Sequence, residues 1–221
     1  MKPKMILAPS MLSADFKNLG EEIKAVEKGG AEFLHIDVMD GIFVPSISFG
    51  MPVIKSIRSA TDMVFDVHLM IVDPIRYIKE FASSGADLIT FHLEAAEDPQ
   101  AVIDEIRSHG CKVGISIKPK TPFEDVIPYM DKVDMLLIMT VEPGFGGQKM
   151  MPETIGKVRA ARDYVTEKGL TTDIQVDGGV KYDNINIPLE AGANIFVAGS
   201  AVFGADTFGE TKRFVEYLAN R

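Results

Sequence analysis

In His35-Ile36-Asp37-Val38-Met39 an imidazole, a carboxylate and a thioether occupy every second position, at the end of an apolar run that begins at Phe33. Alternate residues of a strand share a face, so the three side chains point the same way where the strand ends. Asp66-Val67-His68-Leu69-Met70 repeats the pattern, and Asp177 closes a third run that begins at Ile174. The two imidazoles of His35 and His68 and the two carboxylates of Asp37 and Asp177 suit one borderline divalent cation, Zn²⁺, Fe²⁺, Mn²⁺ or Co²⁺. Taken singly, a buried His or Asp is usually a hydrogen-bonded structural residue. Four of them at strand ends reverse that reading and point to one shared site. His92 and Glu94 also share a strand-end face and read as residues that orient the ligands from behind. His109, beside Gly110, reads as a surface residue. Met39, Met70 and Met139 lie at the same level; thioethers there either fill core gaps or form a dry, polarizable lining over a reacting carbon.

Glycines make a second group. Val141-Glu142-Pro143-Gly144-Phe145-Gly146-Gly147-Gln148, Gly178-Gly179 and Gly199-Ser200 each follow an apolar run. Glycine lets backbone N–H groups approach an anion closely, and three adjoining loops of this kind read as a phosphate site. A phosphate anchor facing a cation flanked by carboxylates suits a small sugar phosphate. The matching chemistry is proton transfer at carbon beside a carbonyl. One Asp removes the proton and the other, held protonated, returns one to the opposite face, since like charges in one site push their pKa values apart. Such an inversion has no net redox and needs no nicotinamide.

Gathering these residues requires elements that end together. Strand candidates are Met5–Ala8, Phe33–Asp37, Val64–His68, Leu88–His92, Lys112–Ile117, Met135–Met139, Ile174–Asp177 and Ile195–Ala198. Helical patterns fall between them. Phe16, Leu19, Ile23 and Val26 form a stripe stopped by Gly29-Gly30, Asp73-Pro74 and Asp98-Pro99 read as caps with proline in the first turn, and Phe214, Tyr217 and Leu218 suit a closing helix. Eight strand-helix repeats over 221 residues predict a (β/α)8 TIM barrel, with the site built by the loops after the strands. A doubly wound sheet would want a Gly-rich turn after its first strand, where this chain has Pro9-Ser10. No linker or low-complexity tract divides the chain, so 1–221 reads as a single catalytic domain.

Composition narrows the partners. A net charge of −9 argues against a nucleic-acid surface but leaves backbone amides free to hold a small anion. Cys111 is the only cysteine, so no intrachain disulfide can form. The N-terminal apolar run is too short for a signal segment and no stretch approaches the ~20 apolar residues of a membrane helix. A soluble cytoplasmic protein is expected.

Over essentially its whole length the chain resembles the ribulose-phosphate 3-epimerase family. The resemblance is carried by Pro9-Ser10, His35 to Gly41, Phe43-Val44-Pro45, Asp66 to Met70, Met139 to Gln148, Val176 to Gly179 and Gly199 to Phe203. It implies interconversion of D-ribulose 5-phosphate and D-xylulose 5-phosphate in the pentose phosphate pathway. It further implies metal ligation by His35, Asp37, His68 and Asp177, with Asp37 and Asp177 doubling as acid and base. Ser10 would contact substrate, and Gly146-Gly147, Gly178-Gly179 and Gly199-Ser200 would hold phosphate. Members commonly form dimers or hexamers, so a homo-oligomer is expected. Ile42, Ser46, Lys118 and Glu142 depart from the commonest residues at their positions and leave the ligand set intact.

The nearest rival is a 3-epimerase of a hexulose 6-phosphate such as D-allulose 6-phosphate; the intact glycine loops favour the pentulose. A metal-dependent hydrolase often wants His-x-His on the first strand, which is absent, and a non-catalytic sugar-phosphate sensor has no use for both acids.

Overall fold

In a computed structural model that describes residues 3–221, the chain folds as a parallel barrel. Its strands are β1 (Ile6–Pro9), β2 (Phe33–Met39), β3 (Val64–Met70), β4 (Leu88–His92), β5 (Lys112–Ile117), β6 (Met135–Met139), β7 (Asp173–Asp177) and β8 (Ile195–Ala198). They form one eight-stranded sheet in the order β1-β8-β7-β6-β5-β4-β3-β2, every ladder parallel. A parallel bridge from Ser10 to His35 brings β1 against β2 and all but closes the ring. The expected barrel is the observed one.

Helices α1 (Leu19–Lys28), α2 (Met51–Ile57), α3 (Ile78–Ser83), α4 (Pro99–Ser108), α5 (Ile155–Lys168), α6 (Asn186–Ala191) and α7 (Thr207–Ala219) cover the outside. Between β5 and β6 two 3-10 turns, Phe123–Asp125 and Ile127–Tyr129, take a helix's place. Outward strand residues such as Leu34, Ile36, Phe65, Val67, Phe91 and Phe196 pack with Ile23, Phe81, Ile103 and Phe214 of the helices in one large core. Each such side chain contributes roughly 1.5–3 kcal/mol on burial. Inward residues at the lower end form a smaller plug around Leu88, Met135 and Ile195. Above the plug the interior turns polar, with His35, Asp37, Asp66, His68, Thr90, His92, Ser116 and Gln175 all buried.

Three local expectations need correction. β2 and β3 run two residues past Asp37 and His68, because the ladder between them continues through Met39 and Met70. Asp98 caps α4 as expected, accepting from the N–H groups of Gln100 and Ala101. Asp73 does not cap in this way. Val72 N–H is anchored on the Asp40 carboxylate, the chain then turns left-handed at Asp73 (φ 48°), and Pro74–Tyr77 forms a 3-10 turn before α3 begins. Phe16 likewise sits in a 3-10 turn ahead of α1, where its ring packs at a tilt against Phe49 and is about half exposed.

Candidate active site and metal cluster

At the C-terminal mouth of the barrel, His35, Asp37, His68 and Asp177 each offer one donor atom, and the four lie within 4.8 Å of one another. The Oδ1 of Asp37 sits between two imidazole nitrogens, 3.2 Å from His35 Nε2 and 3.0 Å from His68 Nδ1. The Oδ2 of Asp177 lies 4.0 Å from the same His68 nitrogen. The other carboxylate oxygen of Asp37 accepts from Ser10 Oγ at 2.7 Å, so Ser10 steadies this acid. Two imidazole nitrogens facing one carboxylate oxygen call for an electron-poor centre at each contact. A proton or a divalent cation can supply it, and the donor set of two nitrogens and two oxygens matches the cations named above.

The far side of each imidazole is bonded as well. His35 Nδ1 lies 2.7 Å from Asp66 Oδ2, which also accepts from Gln175 Nε2 at 2.6 Å. His68 Nε2 lies 2.9 Å from His92 Nε2, and His92 Nδ1 lies 3.2 Å from Glu94 Oε2. His92 and Glu94 thus stand behind His68, while His109 is on the surface beside Glu105. The sequence pattern includes Asp66 but gives it no partner, and it carries no reading of Gln175. A glutamine inside a buried strand, two residues before Asp177 and on its face, was the available signal.

Charge in the cluster is divided unevenly. Burial works against the His35 imidazolium, but the Asp37 and Asp66 carboxylates outweigh it and hold the His35 pKa well above the ordinary value. Burial works against the Asp37 carboxylate too, yet His35 and His68 hold its pKa well below the usual range. Asp177 goes the other way: burial and then the Asp37 charge push it up to about 6. One acid is therefore held ionised and its neighbour is poised near neutrality.

Facing the cluster is a cleft lined by Ser10, Asp37, Met39, Met70, Met139 and Asp177 on one side. Gly144, Gly146, Gly147, Gln148, Gly178, Gly179, Gly199 and Ser200 line the other. All the candidate site residues line this cleft except His35 and His68, which lie fully buried behind Asp37. The glycine requirement is steric. Gly178 (φ 125°) and Gly179 (φ 68°) are left-handed, and a Cβ on Gly179 would come within 2.3 Å of Met150 N. A Cβ on Gly199 would meet Ser13 Oγ at 2.4 Å. Gln148 donates its side-chain amide to the carbonyls of Glu142 and Phe145 and so braces its own loop. Ser13 and Lys181 line the cleft without having been anticipated; a lone lysine after two glycines carries no pattern. Ile42 and Ser46 lie outside the lining and Ile42 is exposed, whereas Lys118 holds its ammonium 3.7 Å over the Phe43 ring. Among the described residues no helix is long and apolar enough to cross a membrane.

Comparison with known proteins agrees with this geometry. Residues 6–203 match the family described as the ribulose-phosphate 3 epimerase family. The chain is 48% identical over 212 residues to the ribulose-phosphate 3-epimerase of Synechocystis sp., covering 95% of this chain and 92% of that one. It is 48% identical to the Bacillus subtilis enzyme of the same name, covering 90% and 92%. Against the cytoplasmic isoform of Oryza sativa it is 47% identical, covering 92% and 90%. Among solved structures, KGPDC from Streptococcus mutans superposes with a TM-score of 0.72 at 16% identity over 99% of both chains. Thiamine phosphate pyrophosphorylase from Pyrococcus furiosus gives 0.66 at 18% identity over 98% of both. At those identities the likeness is one of fold, the TIM barrel.

Proposed function

The chain belongs to the ribulose-phosphate 3-epimerase family, and on that premise we propose that this isomerase interconverts D-ribulose 5-phosphate and D-xylulose 5-phosphate, with Asp37 and Asp177 as its acid and base. The observation that carries the reading is the pairing of two carboxylates of opposite proton preference in one mouth that also opens on three glycine loops. The loops at Gly146-Gly147, Gly178-Gly179 and Gly199-Ser200 would hold the phosphate through backbone N–H groups, with Lys181 adding charge from the rim. That anchor would set carbon 3 between the two acids, under Met39, Met70 and Met139.

Asp37 or Asp177 takes the proton from carbon 3, and the C–H electron pair moves into a double bond to carbon 2 while negative charge develops on the carbonyl oxygen. The other acid returns a proton to the opposite face of carbon 3 as that double bond reverts to the carbonyl. The carboxyl groups thereby exchange protonation states, and the next turnover in reverse, or exchange with solvent, restores them. His35, Asp37, His68 and Asp177 would hold one divalent cation, Zn²⁺, Fe²⁺, Mn²⁺ or Co²⁺. When bound, it supplies positive charge beside the carbonyl oxygen and so stabilises the enediolate. The methionines keep water off the reacting carbon.

Turnover of ribulose 5-phosphate and allulose 6-phosphate, before and after chelation, tests the reading. Faster turnover of the pentulose, lost on chelation and restored by one of the four cations, is the expected result. Faster turnover of the hexulose would move the assignment to that substrate, and activity indifferent to thorough chelation would remove the cation.

A further inference from the structure

The two imidazoles of the cluster face it through different nitrogens, His35 through Nε2 and His68 through Nδ1. A neutral imidazole carries one N–H, so the nitrogen that gives its lone pair inward leaves the other to donate outward. For His35 the outward nitrogen meets Asp66, a carboxylate that can only accept. For His68 it meets another imidazole, nitrogen to nitrogen at 2.9 Å, and such a contact holds one proton that either ring could own. Something else must decide which ring it is.

We infer that Glu94, acting through His92, is the positioning residue that turns His68 into a ligand through Nδ1. Glu94 lies 3.2 Å from His92 Nδ1, and an anionic carboxylate there requires an N–H from that nitrogen. With its proton on Nδ1, neutral His92 has only a lone pair on Nε2, so the proton in the contact belongs to His68 Nε2. His68 Nδ1 is then bare and aimed at Asp37 and Asp177. The order Glu94, His92, His68 is a directed chain of hydrogen bonds ending in a lone pair.

Glu94 is itself held. Its other oxygen accepts from Lys118 N–H at 2.7 Å and from the Thr121 hydroxyl. The segment carrying those donors is clamped by the Lys157 ammonium, which donates to the carbonyls of Lys118, Pro119 and Thr121. Phe43 packs on His92 with ring centroids 4.8 Å apart and the planes tilted by 48°, and Lys118 covers Phe43. The loop after β5, which places no residue in the cleft lining, thereby reaches the cluster through two rings. Lys118, one of the departures in the sequence, belongs to that cover.

The inference rests on the proposed cation site, and zinc serves as the probe for both. The chain has four histidines, so their ring nitrogens are assignable by NMR in the zinc-loaded protein. His92 is expected to carry its proton on Nδ1 and His68 on Nε2. Glu94→Gln, which offers an amide where two donors converge, should weaken zinc binding about 10- to 100-fold and shrink the zinc-induced rise in melting temperature. His92→Leu should do the same, and His92→Gln, whose side-chain carbonyl can accept from His68 Nε2, should recover most of the affinity. A Glu94 of merely structural importance would lower the melting temperature equally with and without zinc and leave the ring protons in place. A His92 protonated on Nε2, or unchanged zinc affinity in Glu94→Gln, would overturn the inference while the cation site stands. A wild-type protein that takes up no zinc or other divalent cation would overturn both.

Discussion

The two sides of the barrel mouth are built on opposite principles. On the side of β2, β3 and β7 the proposed function rests on side chains: His35, Asp37 and His68 are buried and bonded on both sides, and the partly exposed Asp177 offers one oxygen beside them. On the side of the loops after β6, β7 and β8 it resides in backbone, freed by Gly144, Gly147, Gly178 and Gly179 at positive φ, and Phe145 stands largely in solvent. Proton transfer tolerates little misplacement of the reacting groups, whereas an anion can be held by any set of converging N–H groups. The difference teaches that one mouth can separate catalysis from anchoring: damage to the first side should appear in kcat and damage to the second in KM.

The largest expected effect tests the first half of that division. Asp37→Asn and Asp177→Asn each keep an oxygen donor but lose the proton shuttle, and should lower kcat about 100- to 10,000-fold with little change in KM. Steady-state kinetics with the pentulose phosphate checks this. A variant that instead raises KM alone would place the acid on the anchoring side.

Gly179→Ala breaks the other half. It forces a Cβ against Met150 N at a positive φ, which should displace the N–H groups proposed to hold the phosphate. Loss of one hydrogen bond to a charged group costs about 1.5–3 kcal/mol, so KM should rise roughly 10- to 100-fold while kcat changes far less. Equal falls in kcat and kcat/KM would show that the anchor also shapes the transition state. Lys181→Ala is the milder version. Its ammonium stands on the exposed rim, where a charge contributes about 1 kcal/mol or less and is screened by salt. KM should rise about 2- to 5-fold at low ionic strength, and the difference should vanish at high salt.

How much of each side could be read from the sequence follows from the same contrast. The acid and imidazole positions were legible because a strand repeats every two residues, so His35, Asp37, His68 and Asp177 announce a common face. The glycine loops were legible because few other residues tolerate such turns. What stayed hidden depends on which strands the closed ring makes neighbours or opposites. Gln175 of β7 reaches Asp66 of β3 across the interior, a contact between residues 109 positions apart that no local pattern encodes. The use of different nitrogens by His35 and His68 is likewise a matter of approach direction and not of residue type. The start of α3 is hidden for the same reason, since Asp40, a residue of another loop, anchors the turn before it.

The smallest expected effect sharpens the comparison within the acid side itself. In the metal-free protein, burial and the neighbouring Asp37 charge raise Asp177 from the ordinary 3.8 to about 6. Between those values the folded chain keeps a proton that the unfolded chain has lost. The resulting stabilisation is full below the unfolded pKa and is lost as pH rises through the folded one. Asp177→Asn removes this dependence, while the Asp37 contribution remains common to both proteins. After chelation, the wild type should therefore lose melting temperature relative to Asp177→Asn between pH 4 and pH 7, at about 2–4 °C for each kcal/mol. A saturating cation should reverse the order at pH 7, since the wild type then regains a charged ligand. The residue needed for turnover would thus be a liability to the empty barrel. Parallel melting curves across that pH range would mean that neither burial nor the Asp37 charge raises Asp177, and the division of labour between the two acids would lose its physical basis.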